Sequence, residues 1–241
     1  MEEYDLPRLG HTAESKSADA VVLGDGKYEY RVSGQNWGFL PQNWVYEEAT
    51  AVAVDQDDRI YVFNRGTCPM LVFDTEGNCI DSWGEGLFKS PHGVSVTPEG
   101  NIFCVDQAEG TVKLFTPSGQ LLMTLGDPGK TVPKMSGIPF SSPTHVAVDS
   151  SSGDFYVSDG YSNACVHKFS SEGKFMFSWG ESGTEEGQFN IVHNIATDSA
   201  GRVYVADREN HRIQIFNSEG KFETQWINMS RAACIYIDTR G

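Results

Sequence analysis

Two histidines stand at matching places in repeated sequence, where they could together bind a metal ion. His92 lies in the motif PHG and His193 in VHN, each just before an alternating apolar run typical of a β-strand. If both strands begin at one end of a common channel, the imidazoles converge there, and neutral imidazole is a ligand that zinc prefers. The pattern leaves open a simpler alternative, in which both are polar residues hydrogen-bonded in a wet channel.

A third histidine, His145, is offset by one residue in the motif PTH. Under strict strand alternation its side chain is expected to point away from the channel axis. A catalytic zinc uses three protein ligands and one open position, so the two matching histidines form an incomplete set.

Three further candidates lie in the loops that follow the second strand of each repeat. Arg65, Tyr161 and Arg208 break the repeat pattern, and such residues are better candidates for chemistry than those that keep it. Arginine can bind a carboxylate with two hydrogen bonds, and tyrosine can transfer a proton. The alternatives are an arginine paired with a nearby carboxylate and a channel-wall tyrosine with a hydrogen-bonded hydroxyl. The positions that keep the pattern are Asn64, Asp106, Asp159 and Asp207, and the recurring Asp can accept backbone N–H bonds within its turn.

A sequence repeated four times must position these candidates. Each copy has an apolar alternation, a turn, an aromatic–Val–x–Asp strand, a strand ending in Phe, a glycine turn and a strand closing near Trp-Gly. Aligned on Asp55, Thr97, Asp149 and Asp198, the copies lie 42, 52 and 49 residues apart. Four short strands at this period indicate the blades of a β-propeller. No stretch has sustained helical periodicity, so the predicted fold class is all-β.

The repeats predict the domain organisation. A flexible leader is expected over residues 1–23 and a propeller over 24–241. The four blades are predicted at about 48–88, 89–139, 140–184 and 185–228.

Both ends of the repeat region resemble parts of another blade. The motif YEYRV at 28–32 resembles an outer strand, and residues 235–238 resemble an inner strand. Propellers commonly close their ring with strands from both termini, so 24–38 and 229–241 are expected to form part of a closing blade. An exposed inner strand would leave backbone groups unpaired. The chain is therefore interpreted as a truncated form of a longer, six-bladed protein.

Composition limits the classes of partner. With 33 acidic and 18 basic residues, the formal net charge is −15, which argues against nucleic acids and anionic membranes. No segment is long and apolar enough to span a bilayer, and no signal peptide is evident. The five cysteines form no C-x-x-C pair. We expect a cytoplasmic protein acting on a small molecule or short peptide, with a protein partner on one propeller face as an alternative.

Four motifs resemble NHL repeats and, in particular, the peptidyl-α-hydroxyglycine α-amidating lyase family with its short microbial relatives. They are VFNRG (62–66), SPHGVSV (90–96), PTHVAV with DFYVSDGYSNA (143–164), and VHNIAT with VYVADRENHRIQIF (192–216). The phrases YVSDGY and YVADREN are fairly specific, whereas the remaining pattern is generic to NHL propellers. The resemblance extends from about residue 24 to the end and implies an NHL-type β-propeller that has six blades in the full family.

The resemblance also implies roles for individual residues. His92 and His193 correspond to two of three zinc-binding histidines, Tyr161 to the catalytic tyrosine, and Arg65 and Arg208 to two active-site arginines. The third histidine belongs to a final blade that residues 1–241 are not expected to include.

A structural calcium ion is implied as well, bound in part by the backbone carbonyls of Val52 and Val94. Three functions are then open. The first is a zinc-dependent lyase that splits a carbinolamide into an amide and glyoxylate, and the second is a non-catalytic NHL propeller that binds a protein or ligand. The third is a propeller hydrolase or lactonase that uses calcium and channel carboxylates, which the His, Arg and Tyr candidates favour less.

Overall fold

A computed structural model describes residues 22–24, 26, 29–31, 37–42, 44–130 and 132–238. The chain divides into two compact units, residues 1–37 and 38–241. In the first unit, β1 (Val22–Leu23) pairs antiparallel with β2 (Tyr30–Arg31). Apart from its last two positions, the leader predicted for 1–23 lies outside the described residues.

The described residues of the second unit form four antiparallel sheets of four strands each, and each of these sheets uses consecutive strands. Blade 1 consists of β3 (Ala49–Val54), β4 (Ile60–Asn64), β5 (Met70–Phe73) and β6 (Cys79–Trp83). Blade 2 consists of β7 (Pro91–Val96), β8 (Ile102–Asp106), β9 (Thr111–Phe115) and β10 (Leu121–Leu125). Blade 3 consists of β11 (Pro143–Val148), β12 (Phe155–Asp159), β13 (Cys165–Phe169) and β14 (Phe175–Trp179).

A short parallel pair, β15 (Glu181–Ser182) and β16 (Gln188–Phe189), follows blade 3. Blade 4 consists of β17 (Val192–Thr197), β18 (Val203–Asp207), β19 (Arg212–Phe216) and β20 (Phe222–Trp226). A single 3-10 turn, Arg208–Asn210, connects β18 to β19. Within the described residues, the chain has no helix with the length and apolar content that a membrane span requires.

The first strands of successive blades lie side by side. Strand β3 contacts β7, β7 contacts β11, and β11 contacts β17, while the other strands of each blade follow outward in order. This is the arrangement of β-propeller blades. The predicted all-β propeller class is confirmed, and the four sheets lie within the four predicted blade ranges.

Apolar packing between neighbouring blades stabilises the array. The second strands β8, β12 and β18 are buried along their whole length. A neighbouring blade packs on each face of β8 and β12, whereas β18 packs on blade 3 with one face and on apolar residues between 229 and 237 with the other. One apolar cluster lies between blades 1 and 2, a second between blades 2 and 3, and a third between blades 3 and 4. Each blade therefore depends on its neighbours for a core, as repeat architectures do.

In blades 2, 3 and 4, a carboxylate at the end of the second strand fixes the loop that enters the inner strand. Asp106 accepts hydrogen bonds from the backbone N–H groups of Lys89 (2.6 Å) and Ser90 (3.0 Å). Asp159 and Asp207 bind the equivalent loops of blades 3 and 4. The recurring acid thus has the structural role predicted for it, and it orients the strands that carry the candidate histidines.

Residues 235–238 do not form the expected inner strand, so that expectation is wrong. Among the described residues, no neighbouring strand pairs with their backbone, and a strand needs such a partner. Ile235 instead donates its N–H to Asn194 Oδ1 at 2.9 Å. This segment packs on an apolar face of blade 4 formed by Tyr204, Ile213 and Ile215. Whether residues 24–38 and 229–241 share a blade stays a prediction.

Replacing Phe189 by alanine tests the packing between blades 3 and 4. Phe189 has no exposed surface and lies in the third cluster, so its loss should reduce the free energy of unfolding by about 3–5 kcal/mol. Phe175→Ala is the matched control, because Phe175 is 46% exposed and should cost at most about 1 kcal/mol. Urea unfolding measures both values. Equal losses in the two variants would contradict the packing described here.

Candidate active site

His92, His193 and Tyr161 meet at one point. His92 is the second residue of β7, His193 the second residue of β17, and Tyr161 lies in the loop after β12. The Tyr161 hydroxyl oxygen is 2.9 Å from His193 Nε2 and 3.3 Å from His92 Nε2. The two imidazole centroids are 5.2 Å apart. The structure therefore brings together a tyrosine and two histidines from three different blades.

Thr144 of blade 3 connects the strands that carry the two histidines. Its carbonyl oxygen accepts a hydrogen bond from His92 Nδ1 at 2.8 Å, and its hydroxyl donates to the Val192 carbonyl at 2.9 Å. Thr144 has no exposed surface, and it occupies the strand position that His92 and His193 occupy in blades 2 and 4. Blade 3, which lies between the two blades that carry the histidines, is thus connected to both by hydrogen bonds of Thr144.

Backbone carbonyls determine which nitrogen of each imidazole carries the proton. His92 Nδ1 faces the Thr144 carbonyl, and His193 Nδ1 faces the Ala233 carbonyl at 2.7 Å. A carbonyl oxygen only accepts hydrogen bonds, so each Nδ1 is the donor. In the neutral ring, the proton-free Nε2 then presents its lone pair to Tyr161.

Both imidazoles are held in the neutral form. Burial lowers the pKa of His92 to about 4, against the opposing effect of the Thr144 carbonyl, and the positive charge of Arg65 acts in the same direction as burial. Burial also lowers the pKa of His193, and the nearby guanidinium of Arg208 adds to this effect. Neutral histidine is the form that binds metal ions.

The site has one more hydrogen-bond acceptor than it has protons. The single hydroxyl proton of Tyr161 can satisfy only one of the two Nε2 lone pairs, and the shorter distance assigns it to His193. His92 Nε2 then faces another acceptor, the tyrosine oxygen. This donor set suits a cation, and Nδ1 bonds to carbonyls are the usual support of a metal-binding histidine. Among the described residues, no group of three His, Cys, Asp or Glu side chains is placed to bind one.

Arg208 lies over the tyrosine. Its guanidinium carbon is 5.7 Å from the centroid of the Tyr161 ring, and its Nε donates to Glu209 Oε1 at 2.9 Å. Arg231 binds the same carboxylate oxygen through Nη2 at 2.5 Å. The hydrogen bond from Arg231, and to a smaller extent that from Arg208, lowers the pKa of Glu209, so the carboxylate stays ionised. Arg208 thus pairs with a nearby carboxylate, as the simpler alternative expects, and also lies over the Tyr161 ring; its active-site role stays a prediction.

Arg65 approaches the site from blade 1. Its Nε donates to the carbonyl of Pro91, the residue before His92, at 3.3 Å, and its Nη1 pairs with Glu48. The Arg65 side chain is 37% exposed and that of Glu48 is 66% exposed. An exposed pair of this kind contributes about 0–1 kcal/mol, so another carboxylate can displace Glu48 at little cost.

The expectation that the His145 side chain points away from the channel axis is wrong. Its ring lies against Gly93 of blade 2, where an added Cβ would be 2.9 Å from His145 Cδ2 and would overlap the Thr144 carbonyl. Its pairing with β12 is irregular between Pro143 and His145, so simple strand alternation does not apply there. Burial lowers the pKa of His145 to about 4, against the opposing carbonyls of Val94 and Ile195. The side chain therefore points between blades 2 and 4.

The two valines named for calcium lie at equivalent places on neighbouring inner strands, Val52 on β3 and Val94 on β7. Calcium takes six to eight oxygen ligands, usually with carboxylates among them. The described residues supply no cluster of acidic side chains there, and the His145 ring lies beside Val94. Calcium binding stays a prediction, and no step below depends on it.

Several residues of this site had no signal in the sequence. The carbonyls of Thr144 and Ala233 orient the histidines, but any residue type provides a carbonyl. Glu209 directly follows Arg208, which is a usable hint, whereas Arg231 lies in a segment with no matching repeat.

Comparisons with known proteins agree with this architecture. The NHL repeat model matches residues 140–169 and 189–216. Human NHL repeat-containing protein 3 is 35% identical over 190 residues, which cover 73% of this chain and 54% of that protein. Peptidyl-alpha-hydroxyglycine alpha-amidating lyase 1 of Drosophila melanogaster is 38% identical over 162 residues, which cover 61% of this chain and 29% of that protein.

The chain is an NHL-repeat β-propeller of the family that contains these amidating lyases. It spans about half the length of the human relative and less than a third of the fly lyase. A solved virginiamycin B lyase from Staphylococcus aureus superposes with a TM-score of 0.58 at 12% identity, covering 86% of this chain and 62% of that one. At that identity the likeness shows the propeller fold alone.

The lowered pKa of His92 predicts an acid-sensitive fold in metal-free protein. Unfolded chain takes up a proton on this histidine near about pH 6.5, whereas the folded protein does so only near pH 4. Between these values the unfolded state binds more protons, so the free energy of unfolding falls as pH falls. His92→Gln should flatten this slope by up to about 1.4 kcal/mol per pH unit. Urea unfolding in EDTA from about pH 7 to about pH 4.5 measures it, and an unchanged slope would contradict the assignment.

Proposed function

We propose that this chain carries the active site of a zinc-dependent lyase acting on a peptidyl-α-hydroxyglycine-like carbinolamide. The reaction cleaves the N–C bond and releases an amide and glyoxylate. One observation supports it most: two neutral imidazole Nε2 atoms and a tyrosine hydroxyl converge on one point with a proton too few. Homology to amidating lyases makes this reaction class the natural one to test.

His92 and His193 would bind the zinc through Nε2, with a further ligand from outside the described residues. When bound, zinc supplies a Lewis acid that lowers the pKa of the substrate hydroxyl. The Nδ1 hydrogen bonds to Thr144 and Ala233 keep both lone pairs directed at the site. The protein residues then orient the substrate and move its proton.

Cleavage transfers one proton from the substrate hydroxyl to the amide nitrogen. The hydroxyl oxygen forms the C=O bond of glyoxylate, and the electrons of the broken C–N bond leave with the nitrogen. Tyr161 would act as a phenolate once its own proton has left to solvent: its oxygen, at the convergence point, would accept the hydroxyl proton and then return it to the amide nitrogen, which restores the phenolate. The guanidinium of Arg208, 5.7 Å from the ring centroid, would stabilise the negative charge of this phenolate before and after the transfer.

Arg65 would bind the substrate carboxylate. Its guanidinium is half-exposed beside the strand that carries His92, and its present partner is the exposed Glu48. Substrate binding would exchange one carboxylate for another, in a fork geometry that arginine provides and lysine does not. In a protein of net charge −15, Arg65, Arg208 and Arg231 outnumber the two carboxylates that they pair with, Glu48 and Glu209, and this local excess of positive charge suits an anionic substrate.

A non-catalytic NHL propeller is the alternative that the relatives leave open, since family membership does not assign an activity. Such a binding module would have no use for a base and two carboxylate-binding arginines around paired histidines. Turnover measurements on purified protein therefore separate the two functions directly.

Tyr161→Phe tests the proposed mechanism. Removing the hydroxyl should lower kcat for an α-hydroxyglycine peptide by about 10²- to 10⁴-fold, because the proton loses its acceptor. Zinc content and thermal stability should stay unchanged. Tyr236→Phe is the matched control, because Tyr236 is 86% exposed, and it should retain full activity. Glyoxylate release is the readout. Equal turnover in wild type and Tyr161→Phe would overturn the mechanism, and no turnover in zinc-loaded wild type would favour the binding module.

A further inference from the structure

The segment between blades 2 and 3 is longer than its counterpart between blades 1 and 2. The repeat spacing from Thr97 to Asp149 is 52 residues, against 42 from Asp55 to Thr97. The additional residues lie between the end of β10 and the start of β11. Those that the structure describes form no strand, and neither the fold nor the proposed chemistry accounts for them.

Hydrogen bonds fix this segment to the loop that carries Tyr161. The Met135 N–H donates to the carbonyl of Ser162, the residue after Tyr161, at 2.7 Å. Asn163, which is buried, accepts from Gly137 N–H at 3.1 Å and donates to the Ile138 carbonyl at 2.9 Å. The segment is therefore held by hydrogen bonds against the loop of the candidate site.

A cleft lies between this segment and blade 2. Its volume is about 560 Å³, which is within the range of sites that bind small organic ligands. The apolar residues that line it are Leu125, Val132, Pro133, Ile138, Pro139 and Phe140. Ile138 is 53% exposed, so an occupant of the cleft would cover apolar surface that now faces water.

The charges at the cleft favour a neutral occupant. Of the described residues that line it, Asp127 and Lys130 are charged, and their side chains pair with each other at 2.6 Å. These two opposite charges cancel, so the described lining carries no net charge. The lining combines apolar walls with a compensated ion pair, which matches an uncharged apolar group.

We propose that this cleft binds the apolar acyl or peptidyl group on the nitrogen side of the substrate. This inference rests on the proposed lyase function. A substrate bound by its carboxylate at Arg65 in blade 1, with its reacting carbon at Tyr161 in blade 3, extends its other end towards the blade 3 loops. The segment that forms one wall of the cleft is hydrogen-bonded to the loop that carries Tyr161, and on this proposal the cleft determines which substrates react fastest.

Two substrates that differ only in their acyl group test the proposal. Wild type should have a higher kcat/KM for N-(4-phenylbutanoyl)-α-hydroxyglycine than for N-acetyl-α-hydroxyglycine. Ile138→Ser should reduce this preference by about tenfold and leave turnover of the acetyl substrate unchanged. Met135→Ser is the matched control, because Met135 is 58% exposed in the same segment but does not line the cleft. An unchanged preference in Ile138→Ser, or an equal loss in both variants, would overturn the proposal.

A binding measurement separates failure of the cleft from failure of the lyase function. The amide 4-phenylbutanamide has no carboxylate or carbinol, and calorimetry should show weaker binding to Ile138→Ser than to wild type or Met135→Ser. If that pattern holds but neither wild type nor variants have turnover, the cleft proposal is supported and the lyase function is rejected. If turnover occurs and the amide binds all three proteins equally, only the cleft proposal is rejected. Absence of both turnover and amide binding would overturn both.

Discussion

Two backbone carbonyls, those of Thr144 and Ala233, determine what the centre of this molecule can do. Each accepts the Nδ1 proton of one histidine, so that His92 and His193 present their Nε2 lone pairs to a common point. Burial keeps both rings neutral, and the Tyr161 hydroxyl has one proton for two acceptors. A site short of one proton is a site suited to a cation, and the proposed chemistry depends on that imbalance.

The propeller makes this arrangement rigid. Inner strands pack side by side, and the acids at the ends of the second strands fix the loops from which β7, β11 and β17 begin. Apolar clusters between successive blades then prevent the strands from separating. Side chains from blades 2, 3 and 4 consequently meet within hydrogen-bond distance, although they are far apart in sequence. Positioning of this kind is what a loop-based site needs from its scaffold.

The sequence predicted the blades well because their signals are local. Alternating apolar residues, glycine turns and the recurring acid are readable from single repeats, and the pair His92 and His193 followed from their matching positions. His145 and residues 235–238 were predicted wrongly for a physical reason. The orientation of His145 depends on an irregular pairing near Pro143, and a strand at 235 depends on a partner from elsewhere in the fold. Thr144, Ala233 and the long segment after β10 contribute through backbone groups and tertiary contacts, for which residue type gives no signal.

Zinc binding to metal-free protein tests the central claim most directly. Isothermal titration should show one zinc ion per chain, and His92→Gln and His193→Gln should each weaken binding by more than about tenfold. His211→Gln, which leaves both site imidazoles in place, should bind zinc like the wild type. Zinc affinity that is the same in wild type, His92→Gln and His193→Gln would contradict the account.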